Sequence, residues 1–480
     1  MLLGELCKDV AAIPAEYGNL EISEVVCDSR QAVPGCLFIA VPGETTDGLL
    51  YAAEAVEKGA AVVVAPREGN GKALGVPVLA VDDVRSAMGK IADRFYGQPS
   101  RELEIVGVTG TKGKTTTVWL LDQLFSATGD LTGFCSTVEN RIGDDSYEAK
   151  NTTAGCLDLH RFLAEVVSRG GKRAVIEVSS HALEQQRTAS IRFDCAVFTN
   201  LAPEHLDYHE DMESYLAAKM KLFSGLDSHA YAVLPRSQEA SLALRDNTQA
   251  NIAWYGCGLE DGTTGLRMDN GIEFTWRDCQ FRVGFWGEHN LENLLAVLAA
   301  GECMGLRPSE MAALVSEIQL PPGRLEQVHH KGDYRVVVDY AHTDGALEAV
   351  LLALRPVTPG RLITIFGCGG DRDTAKRPRM GKVAEKGSDR IILTSDNPRS
   401  ESPQKILAEI LDGIEQKDEV TLEEDRRAAI ALGIRMASPG DTVLIAGKGH
   451  EDYQEFGNRE RIHFDDREVA EEFLKEVCPA

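Results

Sequence analysis

A chain of 480 residues, 43% hydrophobic and 26% charged, has the proportions of a folded protein, and its length implies about three cores rather than one. The formal net charge of -25 speaks against a nucleic-acid partner or insertion at an anionic membrane, so any anionic substrate must be gripped by local cations. Eleven cysteines without a C-x-x-C pair give neither a disulfide frame nor a zinc ribbon, no apolar run is long enough to span a bilayer, and Glu5, Lys8 and Asp9 interrupt any signal-peptide core; the expectation is a cytoplasmic protein.

Taken in chain order, "GCLFIAVPG", "AAVVVAP" and "VPVLAVDD" predict short buried strands, with a helical pattern in "DGLLYAAEAVEKG" between the first two. This small α/β unit ends near "YGQPSRELE", where Gly97, Pro99 and Ser100 mark a linker. From Ile105 strands and helices alternate again, the pattern of a mainly parallel sheet covered by helices. The alternation pauses at Pro321, Pro322 and Gly323, and a third α/β unit follows with strands in "YRVVVDYA", "RLITIFGCGG", "DRIILTSD" and "DTVLIAGKG". The expected domains are 1–98, 99–325 and 326–480.

The stretch "EIVGVTGTKGKTTTVWLLDQL" reads as strand, glycine-rich turn, lysine, threonine, helix, which is a phosphate-binding loop. Backbone N–H groups of Gly110 to Thr116 would cradle phosphates, Lys114 would add charge and the Thr115 hydroxyl could ligate Mg²⁺. The spacing departs from the strict pattern, because Val108 stands five residues before Gly113 and the glycine lies one earlier, at Gly107.

Glu177 is predicted at the carboxyl end of a buried strand, where ligands of α/β sheets bind and where a carboxylate could meet a metal at the phosphate loop. Ser179, His181 and Arg187 follow it, and the next strand leads into His205, Asp207 and His209. Zinc held by the three histidines is an alternative, weakened by the lack of a glutamate after His205. In the following helix Tyr215, Lys219 and Leu222 share one face, so Lys219 either snorkels, pairs with a carboxylate or is neutralised and modified. In the third unit three loops after strands should gather Arg372, Arg399 and Glu451: two guanidinium groups and a carboxylate, a set suited to a zwitterion, or alternatively a surface salt-bridge cluster.

The ordered series "DSR", "GVTGTKGKTTT", "NTTA", "EVSSHAL", "TNLAPEHLDYH", "YLAAKMKLF", "GEHNLENLLAA", "PPGRLE", "DYAHT", "GCGGDRD", "DNPR" and "GKGHEDY" resembles the Mur ligases, ATP-dependent amide-bond formers of bacterial cell-wall synthesis. The closest resemblance is to members that add the third residue of the peptide stem. It implies a small UDP-binding α/β domain, a central phosphate-loop ATPase-like domain and a C-terminal dinucleotide-fold-like domain for the amino acid. The implied reaction joins an amino acid to the D-Glu γ-carboxylate of UDP-MurNAc-L-Ala-D-Glu through an acyl phosphate, with ATP as phosphoryl donor.

Carried onto this sequence, the resemblance gives Gly110, Thr111, Lys112, Gly113, Lys114, Thr115 and Thr116 to the ATP phosphates, and His289, Asn290 and Asn293 to the adenine. Arg324 and Asp339 would contact nucleotide across a domain gap. Lys114, Glu177, His205 and Lys219 would be catalytic, with Thr115, Glu177, His205 and a carbamylated Lys219 serving Mg²⁺. Ser29, Arg30, Asn151, Thr152, Thr153, Ser179 and Arg187 match the positions for the UDP-sugar-peptide. Arg372, Asp396, Asn397, Pro398, Arg399, Gly447 and Glu451 match those for the amino acid, and "DNPR" resembles members adding meso-diaminopimelate; L-lysine is the alternative. The family's usual pattern is broken at Lys112, usually Asn, at Ala154, often Pro, and at Asp344-Gly345, usually Pro-Asp.

Overall fold

The β-branched runs near the N-terminus form four short parallel strands in the computed structural model, β1 (Val25–Val26), β2 (Leu37–Ile39), β3 (Val62–Pro66) and β4 (Val78–Val81), in that spatial order. The structure describes every residue except 44–45, 68–73, 205, 259, 261, 269–270, 458–459 and 478–480. The chain divides into two compact units, Met1–Gly256 with Ala296–Arg307, and Cys257–Leu295 with Pro308–Ala480.

In the first unit the two faces of the small sheet are buried separately. Leu37, Ile39, Val62 and Val64 pack one way with the helix Val84–Phe95, while Phe38, Val63 and Ala65 pack the other way with Ala52 and Ala55. This is the period of two that sends successive side chains to opposite faces. The expected helix over "DGLLYAAEAVEKG" is shorter, a 3₁₀ turn at Gly48–Tyr51 followed by Ala52–Glu57, with Asp47 accepting from Leu49 N at the start.

The same unit holds an eight-stranded sheet of β5 (Glu104–Thr109), β6 (Thr132–Cys135), β7 (Glu139–Ile142), β8 (Asp145–Glu148), β9 (Arg173–Glu177), β10 (Cys195–Phe198), β11 (Tyr231–Pro235) and β12 (Asn251–Tyr255). Its order is β12-β11-β10-β5-β9-β6-β7-β8, parallel except at one edge, where β7 runs antiparallel to both β6 and β8. β5 lies between β9 and β10, so the chain leaves its carboxyl end for one side of the sheet and returns on the other. Such a switch point opens a crevice where ligands of doubly wound sheets bind. The small sheet's domain is joined to this one by Arg85 Nη1 on Gln185 O at 3.2 Å, Gln186 Nε2 on Asp83 Oδ2 at 2.8 Å, and Cys156 and Leu157 in the small domain's core.

The second unit begins with an antiparallel meander, β13 (Thr263–Arg267), β14 (Ile272–Trp276) and β15 (Cys279–Val283), where Ile272, Phe274 and Trp276 alternate inward. Its main sheet has β16 (Glu326–Gln327), β17 (Arg335–Asp339), β18 (Leu362–Phe366), β19 (Arg390–Leu393), β20 (Val420–Leu422) and β21 (Thr442–Ala446) in the order β16-β17-β21-β18-β19-β20, all parallel but β16. Val337, Leu362, Phe366, Leu393 and Leu444 meet helices Asp344–Leu354, Lys376–Gly387 and Pro403–Leu411 on one face. Val336, Val338, Ile363, Ile365, Val443 and Ile445 meet Arg426–Met436 and Asp466–Val477 on the other. A two-stranded hairpin, β22 (Tyr453–Glu455) and β23 (Arg461–His463), completes the unit.

Asp344-Gly345, the departure from the family's usual Pro-Asp, opens a helix rather than deforming the loop. Thr343 caps it by accepting from Ala346 N at 3.3 Å, Asp344 sits in the first turn, where a carboxylate is favoured by the helix dipole, and Arg379 Nε lies 3.2 Å from its Oδ2. Among the described residues no helix is long and apolar enough to cross a membrane.

Candidate active site

The phosphate loop joins β5 to the helix Lys114–Ser126, with Gly110 at φ 152° and Gly113 at φ 83°. Glycine is required at 110 by contact as well as by φ, since a Cβ there would lie 1.9 Å from Thr199 Oγ1. The loop is pinned from β10: Thr111 N donates to Asn200 O at 2.8 Å, Lys112 N to Asn200 Oδ1 at 2.9 Å, and Thr199 Oγ1 to Lys112 O at 2.6 Å. Lys114 Nζ donates to Thr111 O at 2.8 Å and Gly110 O at 3.2 Å, which holds its ammonium over the turn.

At the end of the neighbouring strand β9, the Glu177 carboxylate is buried. It accepts from Thr115 Oγ1 at 3.0 and 3.1 Å, from Thr137 N at 3.1 Å and from Thr137 Oγ1 at 3.2 Å. A hydroxyl and a carboxylate oxygen 3.0 Å apart are hard donors at about the spacing of adjacent ligands around an octahedral ion with bonds of about 2.0–2.1 Å, so this pair fits Mg²⁺. Among the described residues no three His, Cys, Asp or Glu side chains are disposed around a common metal position. His205 lies outside the described residues. His209 is buried, its Nε2 2.9 Å from Ser180 Oγ and its ring packed on Tyr215, while the His181 ring lies against that of Tyr208, so both belong to the wall of the site.

Lys219 does not snorkel. It is 1% exposed on the helix Met212–Ser224, its Nζ donates to Gly110 O at 2.6 Å and lies 4.2 Å from the centre of the Tyr215 ring. Burial, reinforced by the charge of Lys114 and opposed by Glu204, brings its pKa down to about 6, so the amine is largely neutral at pH 7.

A second group of expected residues lines up beside Glu177. Thr153 Oγ1 donates to Glu177 O at 2.8 Å and accepts from Ser179 N at 3.0 Å, Thr152 Oγ1 lies 3.1 Å from Thr137 Oγ1, and Arg187 Nη1 donates to Thr153 O at 2.8 Å. Asn151, next in sequence, is exposed. On the small sheet's domain, Ser29 Oγ donates to Glu54 Oε2 at 2.8 Å, and Arg30 makes a forked, exposed contact with Asp28. Thr137, which orients Glu177, was not identified from the sequence, because 40 residues separate the two.

In the second unit, Asp339 at the end of β17 accepts from Leu325 N and Ala341 N, both at 2.7 Å. Its burial raises the carboxyl pKa while Arg324 opposes the rise. The Arg324 guanidinium stacks 4.7 Å over the Tyr340 ring, and its buried Nε has no hydrogen-bond partner among the described residues, which leaves a donor for an anionic ligand. Asn290 Nδ2 donates to Trp286 O at 2.8 Å; Asn290 and Asn293 are buried on the helix Glu288–Cys303, which also carries His289.

The loops after β18, β19 and β21 do meet, around a cavity of 620 Å³ lined by Asp371, Arg372, Arg399, Ser400, Tyr453, Glu455, Phe456 and Arg461. Arg399, at φ 51°, is held by its N and Nε on Glu455 O and Oε2, both at 3.1 Å, and by Nη1 on Gly370 O at 2.8 Å. A left-handed backbone at a bulky residue is costly, and these bonds hold it there. Gly370 makes room, since a Cβ on it would lie 1.9 Å from Pro398 O. Arg372 and Arg399 are thus brought together as expected. Glu451 is not part of that lining: it accepts from Asn397 Nδ2 at 2.9 Å and from Lys448 Nζ at 3.3 Å. Fully buried Lys448, unremarked in the sequence, also donates to Asn397 Oδ1 at 3.0 Å and lies 3.6 Å from Asp396 Oδ1, while Gly447 packs beside Asp396.

Three family models match along the chain: the Mur ligase family catalytic domain at 21–96, the Mur ligase middle domain at 108–301, and the Mur ligase glutamate ligase domain at 323–449. Proteins of Solibacter usitatus and Gloeobacter violaceus are 41% and 42% identical, each alignment covering 99% of this chain and 98% of the relative, and both are named UDP-N-acetylmuramoyl-L-alanyl-D-glutamate--2,6-diaminopimelate ligase. The chain belongs to the Mur ligase family. A solved structure of a ligase of that same name superposes on this Mur ligase with a TM-score of 0.75 and 32% identity over 99% of both chains. MurF ligase from Thermotoga maritima in complex with ADP shares the fold, at a TM-score of 0.63 and 20% identity over 95% of this chain and 98% of the other.

Proposed function

We propose that this Mur ligase joins meso-diaminopimelate to the D-Glu γ-carboxylate of UDP-MurNAc-L-Ala-D-Glu, with ATP converted to ADP and phosphate, in the cytoplasmic stage of peptidoglycan synthesis. The carboxylate takes the γ-phosphoryl group, giving an acyl phosphate and ADP. The amine, having lost a proton, then attacks the acyl carbon; the amide bond forms and phosphate leaves. The domains 1–98, 99–325 and 326–480 carry the UDP group, the ATP chemistry and the amino acid respectively.

Gly110–Thr116 hold the phosphates through backbone N–H groups and Lys114. Thr115 and Glu177, with His205, would hold Mg²⁺, which when bound neutralises charge on the phosphoryl oxygens. The neutral Lys219 amine is competent to add CO₂ with loss of a proton, which turns a buried neutral amine into a carbamate anion facing the phosphate loop. His289, Asn290, Asn293, Arg324 and Asp339 serve the nucleotide. Ser29, Arg30, Asn151, Thr152, Thr153, Ser179 and Arg187 serve the UDP-sugar-peptide. Arg372, Asp396, Asn397, Pro398, Arg399, Gly447 and Glu451 serve the amino acid.

The observation that carries the choice of amino acid is the cavity in which Arg399 of "DNPR" stands beside Arg372. Diaminopimelate has one carboxylate more than lysine, and a guanidinium left without that carboxylate in the loaded site lowers the reactivity of the shorter substrate. Phosphate release from ATP and Mg²⁺ with the UDP-dipeptide should be rapid with meso-diaminopimelate and at least about a hundredfold slower, in kcat/KM, with L-lysine. Equal or faster turnover with lysine would keep the ligase and reject the choice of amino acid.

A further inference from the structure

The cavity has a cation that the sequence motifs do not include. We propose that Arg461, on β23, is a specificity-determining residue that grips the second carboxylate of a diamino-dicarboxylic acid. This rests on reading the cavity as the amino-acid site.

The hairpin explains why this side chain reaches the cavity. Tyr453 pairs with His463 and Glu455 with Arg461. Alternate residues share a face of a strand, so Tyr453, Glu455 and Arg461 present together. Gln454 turns the other way and donates to Asp396 O at 2.9 Å, which ties the hairpin to the "DNPR" loop. On the cavity side the Arg461 guanidinium lies 4.1 Å from the centre of the Tyr453 ring. Stacking on an aromatic face restrains arginine while leaving its N–H edges free to donate, the geometry that suits a carboxylate.

Charge around the cavity points the same way. The lining includes three guanidinium groups, Arg372, Arg399 and Arg461, and two carboxylates, Asp371 and Glu455. Glu455 is spent on Arg399 at 3.1 Å, and Asp371 on Ser400 Oγ at 2.6 Å. Arg399 therefore meets a ligand already part-neutralised, whereas Arg372 and Arg461 have no ion-pair partner among the described residues. Two carboxylates on one substrate need two grips: Arg372 with the remaining edge of Arg399 serves one and Arg461 the other, and a substrate with one carboxylate leaves a grip empty.

The test uses the full-length enzyme and the variants R461M and R461K. β23 is exposed along its length, so neither substitution disturbs a core. With R461M the KM for meso-diaminopimelate should rise roughly tenfold with kcat kept within about twofold, as expected when an exposed charge-assisted contact is lost from ground and transition states alike. KM for ATP and for the UDP-dipeptide should stay as in wild type, the preference over lysine should narrow, and R461K should recover part of the loss. Wild-type turnover of diaminopimelate with an unchanged KM in R461M would overturn this inference alone. Absence of wild-type turnover with diaminopimelate would overturn the proposed substrate and this inference with it.

Discussion

Lys219 shows what a single residue contributes when its surroundings are dry. A lysine with Nζ on a backbone carbonyl, an aromatic ring beneath it and Lys114 nearby is poorly placed as a cation and well placed as a nucleophilic amine. The alanine variant should lose about a hundredfold or more in kcat, the scale of an electrostatic group acting on phosphoryl transfer, and a short carboxylic acid should restore part of it. Because the pKa is lowered to about 6, the ammonium form grows as pH falls through that value; wild-type activity should fall below about pH 6, and added bicarbonate should extend its acid limb, which steady-state assays would show. An alanine variant with full activity would remove Lys219 from the chemistry. The phosphate loop was legible because its turn, lysine and threonine are contiguous, and Glu177 because a strand end is a known place for a ligand. By its spacing alone Lys219 was legible only as a choice between fates, with carbamylation implied by the resemblance, since helical spacing fixes which face a lysine takes and not what waits there. Thr137, Lys448 and Arg461 were not legible, as each meets its partners across strands or loops that no local spacing encodes.

At the scale of elements, the arginine-lined cavity depends on strand ends held in register by a buried ion pair. Arg426, fully buried at the start of the helix Arg426–Met436, is bound through Nε and Nη2 to Asp466 at 2.7 and 2.6 Å, and donates to Ser395 O at 3.4 Å and Ala446 O at 3.1 Å. One side chain thus links the ends of β19 and β21, from which Asp396 and Gly447 continue, to the N-terminus of the helix Asp466–Val477. Removing one partner strands the other charge, so Asp466→Ala should destabilise the second unit by about 3–5 kcal/mol in urea unfolding, and pairing it with Arg426→Met should recover much of that. A loss under about 1 kcal/mol would mean that water reaches Arg426 and the pair is not a clamp. The central strands of the two large sheets, β5, β9, β10 and β11 in one and β17, β18, β19 and β21 in the other, were legible from their apolar runs. The β7–β8 and β22–β23 hairpins were not, because strands of three or four residues with mixed polarity give no period to detect.

For the whole molecule, charge sets a problem that the site has to overcome. A protein of net charge -25 repels an anionic nucleotide-sugar substrate at long range, while Arg187 and Arg30, in the roles proposed for them, would attract it only once it is close. The two effects respond differently to salt. At about 10 mM ionic strength the screening length is about 30 Å and the whole charge is felt, whereas at about 150 mM it is about 8 Å and only neighbours are. Added monovalent salt over that range should therefore raise kcat/KM for the UDP-dipeptide by about two- to fivefold, the reverse of the decline seen where a basic surface steers an anion. The check is initial rates at sub-saturating UDP-dipeptide with ATP and Mg²⁺ saturating, so that the encounter with this substrate alone is read. A kcat/KM that falls steeply with salt would mean that the local cations outweigh the remaining charge at encounter, and that the acidic surface lies too far from the approach path to oppose it.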